Sequence, residues 1–578
     1  MLGLRESINN QFDQLRLRLA NPEAIMLMSL LAVATGVLTG LIIVAFRMLL
    51  DFAQSYLATS GQADDFESLA PSMRFILPML GAVILGGIFH YLAPQKRQVG
   101  ILHVIERMQY HQGRMPWVNM LVQFTGAALA ILSGYSVGRE GPNVHMGAYS
   151  GSWVAQNLEL PNNSTRTLVA CGTAAAIGAS FNTPLAGIIF AMEVILQQYT
   201  VQGFVPIILS AVTGTYTSLA FLEGELFFQV ELSTTVMGYD WSLVVLLGIC
   251  IGILSALFNT LLLHITRLTS PWPVWWRFLL AGLLMGLLGW WMPQSMGIGY
   301  DTVQQVMDAS LGLELLGWIL LAKFMATVIS LGLGMPGGVI GPLMFIGSIA
   351  GGAWVVLIYS SHIPVLIPTE PRMYPVLGMG AMFAASLQAP LAGLTAVMEL
   401  AGHAGIILPG MLAIVSASLT NKVIFRHDSL FLSLLWARGL DHSSSPVMQR
   451  LRMIGAASLM NRSFHLCENM LSRETAEFLV NRNFQWLLIT DSDRMPREMV
   501  RSLDVQSFME EHPEAEKVVL TEIPGKRLQL AAISVRASLQ DALDEAIKTG
   551  AEALYLHRKP GGHIYGLITR ERIEKAYH

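Results

Sequence analysis

Apolar segments of about twenty residues, enough to cross ~30 Å of hydrocarbon as helix, recur through the first 440 residues. Clear ones cover 24–46, 75–92, 117–132, 241–263, 278–291 and 315–333. Others, at 143–156, 167–196, 339–358, 376–400 and 405–420, are shorter or broken by Gly and Pro. A broken helix at membrane depth is tolerated only where protein covers the break or water fills a cavity. The broken segments therefore predict a passage through a membrane body rather than a plain bundle.

Composition divides the chain in two. It is 53% hydrophobic and only 13% charged, against about 25% charged in soluble domains. Of its 76 charged residues, 37 fall in the last 138 positions, from Asp441 onward. A large apolar body thus precedes an ordinarily charged tail, and the net charge of −4 gives no support for nucleic-acid binding. Arg5, Arg16 and Arg18 precede the first apolar run, so the N-terminus is expected to stay in the cytoplasm. No apolar core with a small-residue cleavage site is read there, so no removable signal is expected. Cys171, Cys250 and Cys467 are scattered without a CxxC or a His cluster. Neither a disulfide framework, a metal nor a cofactor is expected. No HExxH and no nucleophile–base couple suggests an enzyme.

The body repeats itself. SFNTPLAGIIFAMEV (180–194) returns as SLQAPLAGLTAVMEL (386–400), and GPNVHMGAYSG (141–151) as GPLMFIGSIAG (341–351). The two pairs keep their order, with offsets of 206 and 200. Such patterns can be generic small-residue packing, but the kept order predicts two related halves. In folds of that kind the site lies between the halves, at the ends of discontinuous helices.

The chemistry concentrates at SVGREGPNVHMG (136–147). Gly138 and Gly141 permit close backbone approach, and Pro142 suits the first position of a helix. The unpaired N–H groups and positive dipole end of that helix form an anion site built of main chain. MPGGVIGPLMFIGS (335–348) offers a second one, with Gly337, Gly338, Gly341 and Pro342. Two such ends facing each other would hold an anion without a fixed full charge, so that it can also leave. Glu140, just before a helix start, could occupy the same seat as a tethered competitor and leave it on protonation. It could instead merely cap the helix or pair with Arg139. An ionisable residue in so apolar a setting favours the functional role. His145, one turn on, reads as a packed histidine or a sensor. PWPVWW (271–276) reads as an interfacial aromatic belt.

On these residues the body, roughly 24–439, resembles the CLC family of chloride channels and chloride/proton antiporters. The GREGP signature is intact at Gly138–Pro142, and GxFxP is present as Gly338-Val339-Ile340-Gly341-Pro342, with Ile340 where Phe is usual. The resemblance implies a mainly α, polytopic membrane protein of two inverted helical repeats with many short tilted helices. It implies a homodimer with one pore per subunit, in a cell membrane, here expected to be a bacterial inner membrane. The expected organisation is a cytoplasmic segment 1–23, a body 24–440 with halves of about 24–220 and 241–440, and a cytoplasmic tail 441–578. The tail alternates strand-like and helix-like pieces and resembles a CBS pair, about 450–520 and 526–578. AISV, ALYLH and HIYGLIT read as strands, and SLQDALDEAIKTG and RERIEKAY as helices.

The implied roles are Glu140 as gate and Arg139, Gly141, Val339, Ile340, Gly341, Val99 and Phe431 as the anion-binding set. Two positions depart from the family. Val99 stands where the family has a coordinating Ser, and Phe431 where it has a Tyr, so both hydroxyl ligands are missing. The family's internal proton relay falls on Val194, with Glu193 beside it as a conceivable substitute; Val there favours a channel over an antiporter. Glu399, the repeat partner of Glu193, reads as structural. Arg139 argues against fluoride, because fluoride-specific relatives carry Asn in its place. In the tail, GLITRER keeps Thr569 but has Arg572 where Asp would hold a ribose, which argues against adenine nucleotide.

Overall fold

The computed structural model describes residues 13–21, 24–57, 64–199, 201–222, 240–308, 310–361, 368, 370–440, 446–491, 495–558 and 561–576. The linker 441–445 and Arg5 lie outside them. The chain forms two compact units. One comprises Ser29–Val154 and Arg166–His442; the other comprises Met1–Met28, Ala155–Thr165 and Ser443–His578.

The first unit is helical. Among the described residues seven helices are long and apolar enough to span a membrane, including Ile25–Tyr56, Asp240–Thr269 and Ile340–Ser360. This is a multi-pass membrane protein. Shorter apolar helices such as Trp117–Leu132, Met373–Leu387 and Pro390–Ala401 complete the body. Apolar side chains on the outside, among them Leu30, Leu80, Leu287 and Val423, are exposed, as a lipid-facing surface requires. Trp272 and Trp276 of the expected aromatic belt are exposed too. Inside, helices touch through small and hydrogen-bonding residues. Gly147 lies against the main chain of Gly172, and its repeat partner Gly347 against that of Gly378. Ser255 meets Ser386 at 2.8 Å, and Asn421 donates to Ser255 at 3.0 Å. In lipid-like surroundings such contacts replace the hydrophobic drive between helices.

One local expectation is corrected. Pro142 and Pro342 are not first in their helices, which run Glu140–Asn157 and Ile340–Ser360. A proline fits anywhere in the first turn because no N–H there has an intrahelical partner. Glu140 is therefore itself the first helical residue. The apolar run 167–196 is two helices, Asn162–Phe181 and Pro184–Phe190, the second continued by a π-turn Ala191–Leu196. The break falls at Asn182, whose φ of 57° is left-handed. Its repeat counterpart Gln388 has φ of 53° before Pro390. Each half thus interrupts its backbone at matching places.

In the second unit the C-terminal portion holds a six-stranded sheet, order β1-β3-β4-β6-β7-β8, and a two-stranded ribbon β2-β5. The strands are β1 Phe464–Cys467, β2 Met470–Ser472, β3 Trp486–Thr490, β4 Pro496–Arg501, β5 Lys517–Val519, β6 Leu528–Ser534, β7 Ala553–His557 and β8 Ile564–Thr569. Helices Arg473–Asn481 and Leu539–Thr549 follow β2 and β6, giving two successive strand–helix–hairpin–helix units, consistent with a CBS pair. β6 pairs parallel with β7, and β7 antiparallel with β8. β6 starts at Leu528, earlier than the AISV reading, because β4 pairs with Leu528 and Gln529. Ser538 and Asp541 close a capping box on Leu539–Thr549, which satisfies orphan N–H groups at that helix start.

Candidate functional site

The two glycine-rich loops meet. Gly138 and Gly338 form an antiparallel bridge: the Gly138 N–H donates to the Gly338 carbonyl at 2.8 Å, and the reverse bond is 2.7 Å. Only glycines allow it. A Cβ on Gly141 would stand 2.6 Å from the Gly338 Cα, and one on Gly338 would stand 2.5 Å from the Gly141 nitrogen. Arg139 and Val339 are the residues whose carbonyls take the first helical bonds, from Asn143 and Leu343 at 3.0 Å each. The helices Glu140–Asn157 and Ile340–Ser360 therefore begin side by side. Both starts carry N–H groups without helical partners.

Glu140 sits over this junction, 1% exposed. One carboxylate oxygen accepts the Gly341 N–H at 3.1 Å, in the first turn of the other half's helix. The second accepts the Tyr300 hydroxyl at 2.6 Å. The Arg139 guanidinium lies 5.4 Å from the centre of the Tyr300 ring. The Glu140 carboxylate of one repeat thus sits on the helix start of the other.

Beside the junction lies a cavity of about 560 Å³. Val99, Gly141, Val339 and Phe431 line it together, so four of the sequence-derived anion residues share one space. Val99 and Phe431 bring only carbon to it. Arg97, Arg277 and Arg438 line the same cavity. Arg277 donates to the Leu333 carbonyl at 3.0 Å, and Arg438 lies 3.9 Å from Glu106. A vestibule lined by one sign of charge concentrates the opposite ion. Ile340 and Glu140 line a separate small space of 30 Å³ among Phe181, Phe190 and Phe383.

The relay position is apolar in fact as in sequence: Val194 is buried in the π-turn. Glu193 is engaged elsewhere. Its carboxylate accepts the N–H groups of Leu391 (3.3 Å) and Ala392 (2.7 Å), at the start of helix Pro390–Ala401. Glu399 does the same for Leu185 (2.9 Å) and Ala186 (2.7 Å) at the start of Pro184–Phe190. Each half lends a glutamate to cap the other's helix, where a carboxylate is favoured by dipole and hydrogen bonds. His145 stacks on His103 with nitrogens 2.8 Å apart, a hydrogen-bonded buried pair.

Tyr300 and the three vestibule arginines were not picked out from sequence. Tyr300 is 160 positions from Glu140. The only local signal was the glycine cluster GIGY (297–300) between two apolar runs.

Broken helices in two related halves, with a carboxylate tethered over facing helix starts, define a polytopic membrane protein. The family profile described as Voltage gated chloride channel matches residues 80–422. The chain is 29% identical over 418 residues to the voltage-gated ClC-type chloride channel ClcB of Escherichia coli (strain SMS-3-5 / SECEC), covering 70% of this chain and 97% of that protein. Its fold is similar to that of a slow cyanobacterial Cl-/H+ antiporter (TM-score 0.63, 21% identity, 71% of this chain and 97% of that one). It is similar also to a CLC-type fluoride/proton antiporter (TM-score 0.61, 22% identity, 71% and 98%). A eukaryotic CLC transporter matches along 94% of this chain and 97% of its own (TM-score 0.58, 18% identity). The chain belongs to the voltage-gated chloride channel family, the CLC family.

Proposed function

We propose that this protein passes chloride across a membrane through a CLC-type pore gated by Glu140, and that it works as a passive channel. The observation that carries the reading is the Glu140 carboxylate on the Gly341 N–H, in the seat an anion would take. Neutralising it by protonation removes its attraction for the helix start and frees the seat. The arginine-lined vestibule supports an anion over a cation. Arg139 supports chloride over fluoride. Without hydroxyl donors at Val99 and Phe431, central binding rests on main-chain groups near Val339 and Ile340, which favours weak binding and quick exit.

The channel reading is supported by Val194, which cannot carry a proton, and by Glu193, whose carboxylate is held by two N–H groups. Chloride/proton exchange is the second reading, favoured by the fold similarity to proteins described as antiporters. Two subunits, each with its own pore, complete the proposal. Chloride flux from reconstituted vesicles, recorded together with proton flux, tests it. Chloride flux without proton movement is expected. Protons driven uphill by a chloride gradient would refute the channel, and absence of any chloride flux would refute the whole reading.

A further inference from the structure

Lys323 lies in the apolar helix Leu313–Gly332 and is fully buried. A cation at such a place is expensive unless its protons are all taken. They are: Nζ donates to the carbonyls of Met296 (3.2 Å), Gly297 (2.8 Å) and Ile298 (3.2 Å). It also stands 4.5 Å from the centre of the Phe345 ring. The opposite edge of the same short segment is held by Asp64. One Asp64 oxygen accepts the N–H groups of Ile298 (3.0 Å) and Gly299 (2.6 Å). The segment is wound tightly, with Gly297 at φ 56° and Gly299 at φ 80°. A side chain at Gly299 would meet the Phe345 ring at 2.6 Å. An amine and a carboxylate therefore grip four residues from both sides. The next residue is Tyr300, the hydroxyl donor to Glu140.

We propose that Lys323 and Asp64 are positioning residues for the gate: by clamping Met296–Gly299 they aim the Tyr300 hydroxyl at Glu140 and so hold its carboxylate in the anion seat. This rests on Glu140 being the gate. The physical reason is that a tyrosine delivers its hydroxyl accurately only if its backbone is rigid, and a glycine-rich turn is not rigid by itself. An ionised carboxylate that loses a hydrogen-bond donor is protonated more readily. Loosening the clamp should therefore open the gate at higher pH.

The test is chloride efflux from vesicles between about pH 4 and pH 8, comparing parent, Glu140→Gln, Tyr300→Phe, Lys323→Met, Lys323→Arg and Asp64→Asn. Tyr300→Phe should move the flux midpoint upward by about one pH unit. Lys323→Met and Asp64→Asn should move it the same way, and Lys323→Arg should move it less. Added to Glu140→Gln, none of these changes should alter the profile further. A purely structural lysine would lower protein yield and total flux without moving the midpoint. If Glu140→Gln flattens the profile while Tyr300→Phe and Asp64→Asn keep the parent midpoint, the clamp is overturned, whether or not Lys323→Met assembles. If Glu140→Gln keeps the parent profile, the gate reading itself fails.

Discussion

Glu140 has two acceptor oxygens and two donors, one from main chain and one from a phenol. Its occupancy of the seat depends on charge, because the helix start attracts a carboxylate and has much less hold on a neutral amide. Glu140→Gln should make chloride flux largely independent of pH; an unchanged pH profile in the flux assay would remove the residue from the gate. Val99 and Phe431 belong to the same cavity but carry no hydrogen-bond donor. Restoring donors as Val99→Ser with Phe431→Tyr should strengthen chloride binding at least about tenfold, since even one hydrogen bond to a charged partner contributes about 1.5–3 kcal/mol. Calorimetric titration with chloride checks this, and affinity equal to the parent would show that these side chains do not reach the ion. Both positions were reached through the family resemblance, as the places of its two hydroxyl ligands. Tyr300 could not, since nothing near it in the chain indicates a partner 160 residues away.

Helix starts are the recurring device of the body. Four of them are served from the opposite half or meet there: Glu140 over Ile340–Ser360, the glycine bridge beside it, and the exchange of Glu193 and Glu399. A helix beginning inside the membrane must satisfy its first N–H groups by protein, and a carboxylate can take two. Glu399→Gln leaves an amide that presents one acceptor and no charge. It should destabilise the protein by about 1.5–3 kcal/mol, as should Glu193→Gln. Unfolding in detergent measures both; two unchanged stabilities would mean that solvent or lipid serves these helix starts instead. The glutamates were visible as repeat partners, and that relation correctly paired them. Which N–H groups they cap was not visible, because a helix start advertises a need and not its donor of relief.

The membrane body and the charged unit draw on different physics. The body carries little charge for its length, whereas Glu159 in the other unit gathers arginines. It bonds Arg558, lies 2.5 Å from Arg536 and 3.5 Å from Arg16. Asp13 joins from the N-terminal helix, 2.8 Å from Arg16 and 3.2 Å from Arg558. Partial burial acts to raise the Glu159 carboxyl, but hydrogen bonds and charge from Arg558 and Arg536 prevail and hold it below its ordinary value. A depressed carboxyl stabilises the fold above its unfolded value, about 4.3, and that share is lost as pH falls through the folded value. Glu159→Gln should therefore lower the melting temperature at pH 7 and lower it less at about pH 4. High salt should shrink the difference, as the group is partly exposed. An equal deficit at both pH values would show that shape rather than charge makes the contact.

Apolar run length, Gly and Pro interruptions and the repeated motifs are local properties, and they sufficed for a polytopic body in two halves with helix starts as its chemical feature. The tail was equally readable, with β7 falling on ALYLH as expected, because a short apolar run bounded by turn residues acts over a few positions. Local pattern also placed Glu140 beside a helix start. Packing alone brought Gly138 to Gly338, gathered Arg97, Arg277 and Arg438 on one cavity, set Lys323 against Gly297 and carried Tyr300 to Glu140. Those contacts join residues many turns apart. Their free energy depends on which surfaces are excluded from lipid and which polar groups find partners in three dimensions, and neither quantity is written in the neighbouring residues.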